Sequence, residues 1–591
     1  MIRGLLRRLW QLPEQRCRSQ IEPGWASMRD GVRLATWHVW PIDLRGEAPT
    51  IVMRTPYGVH GGRSPVGMAA RLMAESGFHV VVQDVRGRYE SEGQFTPFIN
   101  ERADGADTLD WLVRQHWHRG PIGLFGASYL AYSAWCALSE APERVGAMVS
   151  AIGSGRMYPV FHRAGAFELQ NAFEWGLGVG EREGIPARRI DLERGLGHRP
   201  LREADRVALR KVQWLRDWID HEREDEYWLA IHPPIPTTLP PSLLIAGWYD
   251  FFLATQLADF DSLTELAREK GSTPPRLIIG PWAHGLPAKM EWWRHEMAGF
   301  VLREAIQHFD RNLREQEPTV DTEAVRYFSA GSGRWQSSPT WPPPGVETRS
   351  LYLRSKTSTG VLQWDPSIDE EEALRFDNDP EEPNSAPGGA LLGTKAGIKD
   401  QSRVDPSGRH CLCYDSEPLE TELALAGPIR LEIWFSTDSE DADVTARLSD
   451  VFPSGRVENV CDGIQRCRWR EVAANQDQPN FLSPGEMTKL SIDLDHTART
   501  ISTGHSLRLE IAGSNFPRYD RNPGTSDIPG LAEPERFRGC EHRIHHGPEA
   551  MSRLILSVEA ETAGASSPGR QARGPAEEAR VPPGRAQAGS Y

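Results

Sequence analysis

The chain has 591 residues, 39% of them hydrophobic and 25% charged, and a formal net charge of −15. That length exceeds what one hydrophobic core usually organises, so two or three domains are expected. The acidic balance argues against nucleic acid or anionic membrane as a partner held by bulk electrostatics. Seven cysteines, odd in number and without a CxxC pair, argue against a disulfide framework and a structural zinc site, and favour a reducing compartment. The basic start MIRGLLRRLWQLPEQ lacks a signal-peptide core because Arg7, Arg8 and Gln11 interrupt its apolar residues, and no later stretch is long enough to span a membrane. The expected location is cytoplasmic.

Between about 32 and 154, strand and helix patterns alternate. RLATWHVWP and TIVMRTPYG read as strands, MAARLMAESG as a helix, FHVVVQDVRG as a buried strand and ADGADTLDWLVRQ as a helix. Such alternation implies a largely parallel sheet covered on both faces, with functional loops at the strand C-termini. PIGLFGASYLAYSAWCALS then reads as a short buried strand, an abrupt turn and a helix, with Ser128 at the turn. Gly126 and Ala127 are small enough for the bend, and nothing from Tyr129 to Leu138 stops a helix. A serine in this position fits a nucleophile elbow, whose strained turn exposes Oγ and whose next backbone N–H can stabilise an oxyanion. The plainer reading is a helix cap. RVGAMVSAIG follows as another apolar strand.

From 154 to 240 the pattern changes to long polar helices rich in Arg and Glu, such as READRVALRKVQWLRDWIDHERE, which read as a helical insertion. The sheet resumes with SLLIAGWYD and, after the helix TQLADFDSLTELAREKG, with RLIIGPWAHG. KMEWWRHEMAGFVLREAIQHFDRNL is expected to close the domain as a long helix. Past about Thr319 come VRYFSAG, RSLYLRS, IRLEIWFSTD, VTARLSDVF, MTKLSIDL and SLRLEIAGS, spaced as in an all-β sandwich. The expected division is an α/β domain over 25–153 and 241–320, a helical insertion over 154–240, a β-sandwich over 321–560, and a disordered tail over 561–591 that has almost no large apolar residues.

A serine hydroxyl needs an oriented base to become a nucleophile at neutral pH. In sheets of this kind the partners follow in the order acid, then histidine. Asp250 ends SLLIAGWYD, and His284 follows RLIIG in GPWAHG, so Ser128 is assigned as nucleophile, His284 as general base and then acid, and Asp250 as orienter of the imidazole. Singly, Asp250 reads as a helix N-cap and His284 as a loop histidine; jointly, three residues of the required types stand at three strand ends in the required order. Arg86, Arg88, Glu90 and Glu92 in QDVRGRYESEGQF read as a salt-bridged loop. His542, His545 and His546 suggest metal only superficially, because no carboxylate or Cys pattern completes a site. Neither metal nor cofactor is expected.

Several motifs stand in order between Met28 and Val558: MRDGVRLAT, RTPYG, QDVRGRYESEGQF, GASYLA, AGWYDFF, GPWAHG, LSDVFPSGRVENVCDGIQRCRWR and SNFPRYDRNP. On these the chain resembles the CocE/NonD family of serine hydrolases, whose members cleave esters, amides and X-Pro peptides. The resemblance implies an α/β-hydrolase fold with an inserted helical cap, followed by a jelly-roll β-sandwich, and an acyl-enzyme mechanism on a small-molecule ester or amide. It implies that Tyr57 in RTPYG supplies its phenolic OH to the oxyanion hole together with the backbone N–H of Tyr129. It places Phe252, Trp175 and Trp135 nearest the acyl pocket, against the plain reading that most of the 20 tryptophans fill cores and interfaces. Two departures stand out: Ala131 occupies the last glycine of the family's G-x-S-Y-x-G elbow, and Phe251 precedes Phe252 where a small residue is usual. The alternatives are acyl transfer to an amine or alcohol, X-Pro dipeptidyl-peptidase action, for which no acidic residue of the cap can be assigned to a free N-terminal ammonium, and a catalytically silent binding protein. Oligomeric state stays open, with a homodimer as one option.

Overall fold

The computed structural model describes residues 2–44, 46–59, 64–179, 190–208, 210–289, 296–314, 323–355, 359–403, 409–471 and 478–560. The expected disordered tail and residues 290–295 of the expected long helix lie outside the described residues.

Strands buried on both faces read as continuous apolar runs. His79–Asp84 and Ser242–Tyr249 are of this kind, with every residue buried. They belong to an 11-stranded sheet in which His79–Asp84, Thr50–Thr55, Ile122–Ala127, Val145–Ala151, Ser242–Tyr249, Arg276–Ala283 and Val325–Ser329 run parallel in that spatial order. Antiparallel strands Arg33–Ile42 and Arg18–Ser27 extend one edge, and Arg334–Ser338 extends the other. One face is covered by helices Glu101–Val113, Tyr129–Glu140 and Leu253–Lys270, which contribute Leu109, Leu138 and Leu257 to a shared core. The other face is covered by Pro65–Glu75 and Met297–Leu313, through Met73, Ile306 and Phe309. All parallel strands therefore present their C-terminal ends along one rim, where their loops can converge.

Two expectations need correction. The insertion is helical, but READRVALRKVQWLRDWIDHERE is broken into a 3-10 turn at Leu201–Glu203 and helices Ala204–Val207 and Gln213–Asp220. The buried Asp205 carboxylate holds the break, accepting from the Val212 N–H at 2.7 Å and from Arg216 Nε at 2.9 Å. VRYFSAG, expected among the sandwich strands, instead pairs in parallel with Arg276–Ala283 in the first sheet. Val325, Tyr327 and Phe328 are all buried, as befits an inner strand reached by a helical crossover.

The second half forms another 11-stranded sheet that folds over its own core. Leu423–Thr437 pairs with Thr488–Ile501, Cys540–His545 and Arg553–Glu559, with a register shift near Pro428. From Ile429 to Phe435 its residues alternate buried and partly exposed, the period-two signature of a sandwich strand. Arg466, fully buried at the end of Val457–Arg466, clamps Asp443 and Asp520, with Nη2 lying 2.8 Å from each carboxylate. Asp520 in turn accepts the Phe167 N–H of the helical insertion at 2.9 Å. The chain is thus an α/β-hydrolase domain with inserted helices followed by an all-β jelly roll.

Beneath the outer edge of the first sheet, His38 Nδ1 and His79 Nε2 lie 3.3 Å apart, and the Trp40 ring stacks on His79 at 3.9 Å. Burial lowers His38 to about 4 and His79 to about 3, and it also lowers His308 and His542 to about 4. These rings stay neutral in the native state while the unfolded chain protonates them below about 6.5. Each such histidine therefore withdraws stability as pH drops from about 6.5 towards its native value, by about 1.4 kcal/mol per pH unit, whereas Asp84 and Asp259, raised by burial to about 7, and Asp310, raised to about 6, add stability as they take up protons in the folded state. Urea midpoints at pH 7, 6 and 5 check this in His308→Gln, which should lose less stability on acidification than the wild type; an identical pH dependence in the two proteins would contradict it.

Candidate active site

Ser128 joins strand Ile122–Ala127 to helix Tyr129–Glu140 with φ 58° and ψ −128°, a strained conformation that turns Oγ out of the sheet. Its N–H bonds Ala151 O at 3.0 Å, and its carbonyl accepts the Ala131 N–H at 2.8 Å. A Cβ on residue 126 would lie 2.1 Å from Leu130 O, so the turn demands glycine there. The Ala131 departure has a local answer. A Cβ on residue 153 would lie 2.7 Å from Ala131 Cβ and 2.6 Å from Ser128 O. Gly153 leaves the space that the Ala131 methyl fills, and the elbow keeps its geometry.

Ser128 Oγ lies 2.9 Å from His284 Nε2, and His284 Nδ1 lies 2.9 Å from Asp250 Oδ2. The Asp250 carboxylate is buried, and its other oxygen accepts the Phe252 N–H at 2.9 Å, so it ties down the loop as well as facing the imidazole. Phe251, the second departure, stacks on the His284 ring at 4.5 Å between centroids and shields it from solvent. The three side chains come from three separate strand ends, all on one rim of the sheet.

The model of the X-Pro dipeptidyl-peptidase (S15) family matches residues 30–286, and that of its C-terminal non-catalytic domain matches 315–555. A cocaine esterase from Rhodococcus sp. (strain MB1 Bresler) is 31% identical over 575 residues, covering 90% of this chain and 97% of its own. The chain belongs to the CocE/NonD family of serine hydrolases. Two solved structures share the fold of this CocE/NonD hydrolase. One is an aminopeptidase from a marine sediment Thaumarchaeota archaeon, 21% identical with a TM-score of 0.78, covering 93% of this chain and 98% of its own. The other is an α-amino-acid ester hydrolase, 23% identical with a TM-score of 0.77, covering 92% and 97%. The enzyme is a serine ester hydrolase.

In the CocE/NonD hydrolase, Tyr57 follows strand Thr50–Thr55, and its hydroxyl accepts the Trp175 indole N–H at 3.0 Å while facing the Ser128 side chain. Burial raises the phenol's pKa, which keeps its proton on. The Tyr129 N–H belongs to the first helical turn, whose amides have no acceptor in their own helix. The Tyr129 hydroxyl donates to Glu101 Oε1 at 2.9 Å and accepts the Phe98 N–H at 3.1 Å. Glu101 is itself paired with the buried Arg54 at 2.8 Å.

Ser128 and His284 open into an apolar cavity of about 430 Å³, its mouth included, walled by Phe98, Tyr132, Phe161, Trp175 and Phe252. Asn171 reaches its edge but is engaged elsewhere, donating to Ala390 O at 3.1 Å while accepting the Leu392 N–H at 3.0 Å. Trp135 is the exception among the expected pocket residues. Seven residues along the helix from Ser128, about 10 Å, it is buried against the sheet, donates to Ser150 Oγ at 3.1 Å and does not line the cavity. Sequence reasoning missed Tyr132, although it lies four residues after Ser128 on the same helical face. It also missed Phe98, whose φ of 73° belongs to an irregular loop with no pattern to read.

Most of the remaining singled-out residues have structural partners. Arg86 bridges Asp104 and Asp30, and Glu92 pairs with Arg33. His542 bonds Thr437 Oγ1, His545 bonds Ser436 Oγ and His546 bonds the Tyr414 hydroxyl. Among the described residues, no helix is long and apolar enough to cross a membrane.

Proposed function

We propose that this enzyme hydrolyses esters of small apolar acyl groups, aromatic ones above all, through an acyl-enzyme on Ser128. Ser128 Oγ attacks the ester carbonyl carbon while His284 Nε2 takes the hydroxyl proton. Asp250 keeps the ring in the tautomer that presents Nε2 as acceptor and stabilises the imidazolium that forms. Negative charge on the former carbonyl oxygen meets the Tyr57 O–H and the Tyr129 N–H, one such donor being worth roughly 3 kcal/mol of barrier. Collapse breaks the bond to the alkoxy oxygen, which leaves as an alcohol with the proton from His284. Water then attacks the acyl carbon, gives a proton to His284, and the carboxylic acid departs as Ser128 recovers its hydrogen.

The observation that carries this reading is the line Ser128, His284, Asp250, joined at 2.9 Å per step and facing an aromatic-walled cavity. Among the described residues, no Asp or Glu lines that cavity, so an α-ammonium group inside it would lack a counter-ion, which burial penalises. The relative named for cocaine hydrolysis fits an ester specificity. A set of 4-nitrophenyl esters tests the proposal: kcat/KM for the benzoate should exceed that for the glycinate by at least about tenfold. A preference for the aminoacyl ester would overturn it.

A further inference from the structure

We propose that Trp175 is a positioning residue for the oxyanion donor: its indole N–H fixes the rotation of the Tyr57 hydroxyl so that the phenolic proton points toward Ser128. This rests on the reading of Tyr57 as an oxyanion donor. An indole Nε1–H can only donate, so across the 3.0 Å contact the Tyr57 oxygen must accept. The phenolic proton prefers the plane of its ring and so has two favoured directions. The side occupied by the indole N–H is closed to it, which leaves the other direction, and the Ser128 side chain is the other hydrogen-bonding partner of this hydroxyl. Accepting a hydrogen bond also polarises the O–H and strengthens it as a donor.

The indole is fixed in turn. Its ring lies nearly parallel to Phe98 (5.9 Å, 14°), to Tyr129 (5.9 Å, 13°) and to Trp218 (6.0 Å, 20°). It sits on helix Leu169–Val179, whose last carbonyl, that of Val179, accepts from Arg88 Nη1 at 2.9 Å. The same guanidinium donates through Nε to Pro56 O at 2.9 Å, one residue before Tyr57. One buried arginine therefore ties together the backbones that carry donor and acceptor, and the pair is set before any ester arrives, as electrostatic preorganisation requires.

A double-mutant cycle on kcat with 4-nitrophenyl benzoate tests the proposal. Trp175→Phe keeps an aromatic ring and removes the N–H; replacing Trp175 by β-(3-benzothienyl)alanine keeps the bicyclic shape and exchanges N–H for sulfur. Each should lower kcat about five- to tenfold and move KM less than about threefold. Tyr57→Phe alone should lower kcat about 10²- to 10³-fold. In the Tyr57→Phe background, either change at 175 should have no further effect. An equal fractional loss in both backgrounds, or full kcat with the sulfur analogue, would overturn the proposal and leave Trp175 as a packing residue. Should Tyr57→Phe itself keep kcat within about twofold, it is the oxyanion reading that fails. If Trp175→Phe does not fold by circular dichroism, the shape-preserving analogue alone decides between positioning and packing.

Discussion

Ser128→Ala is expected to lose about 10⁴- to 10⁶-fold in kcat on any ester the wild type turns over, with KM little changed. The size of the loss follows from the way the site works as a unit. Without Oγ, the His284 ring, held by Asp250 at 2.9 Å, has no nucleophile to activate, and only binding and the oxyanion donors remain. Loss of the hydroxyl leaves the other residues that line the cavity in place. Fluorophosphonate labelling should vanish in the same variant and persist in Ser502→Ala, an exposed serine on the β-sandwich. Continued labelling of Ser128→Ala would mean that another residue is the nucleophile.

The second large effect concerns stability. Arg466→Met should destabilise the protein by about 3–5 kcal/mol, because it strands two buried carboxylates, Asp443 and Asp520, that now share one guanidinium. The methionine fills most of the volume, so the cost reports the unpaired charges and not a cavity. Asp443→Asn added to Arg466→Met should recover part of the loss, since a neutral amide is far cheaper to bury. Thermal unfolding checks both variants, and an unchanged midpoint for Arg466→Met would refute the charge-clamp account.

Much of this architecture is legible in the sequence for definite reasons. The parallel strands announce themselves as apolar runs such as LLIAGW, and a strand that ends in Asp250 or leads into His284 places its residue at the rim by the rules of such sheets. What escapes is non-local. The space for the Ala131 methyl is left by Gly153, 22 positions on, and no pattern around the elbow could reveal it. The break after Val207 depends on a side chain, Asp205, capping an amide seven residues later, within a stretch that otherwise reads as helix throughout. VRYFSAG was legible in principle: it follows a strand and a long helix, the unit that returns a chain to its parallel sheet. Its β-rich neighbours drew it the other way. Tyr57 is a turn aromatic until a family resemblance singles it out, because a phenol's role depends on what it faces across the sheet.

One contact bears on how such an enzyme can be re-engineered. Asn171 stands at the acyl cavity, yet both ends of its amide are spent on residues 390 and 392, in a hairpin of the β-sandwich closed by Gly389 and Gly397. The C-terminal half, which contributes none of the Ser128, His284 and Asp250 line, thus holds one wall of the substrate chamber from behind. Under the proposed function, acyl preference is expected to respond to changes in a loop some 220 positions away in the chain from Asn171. Variant libraries gain a handle by including that hairpin, and a trimmed enzyme lacking the β-sandwich gives it up.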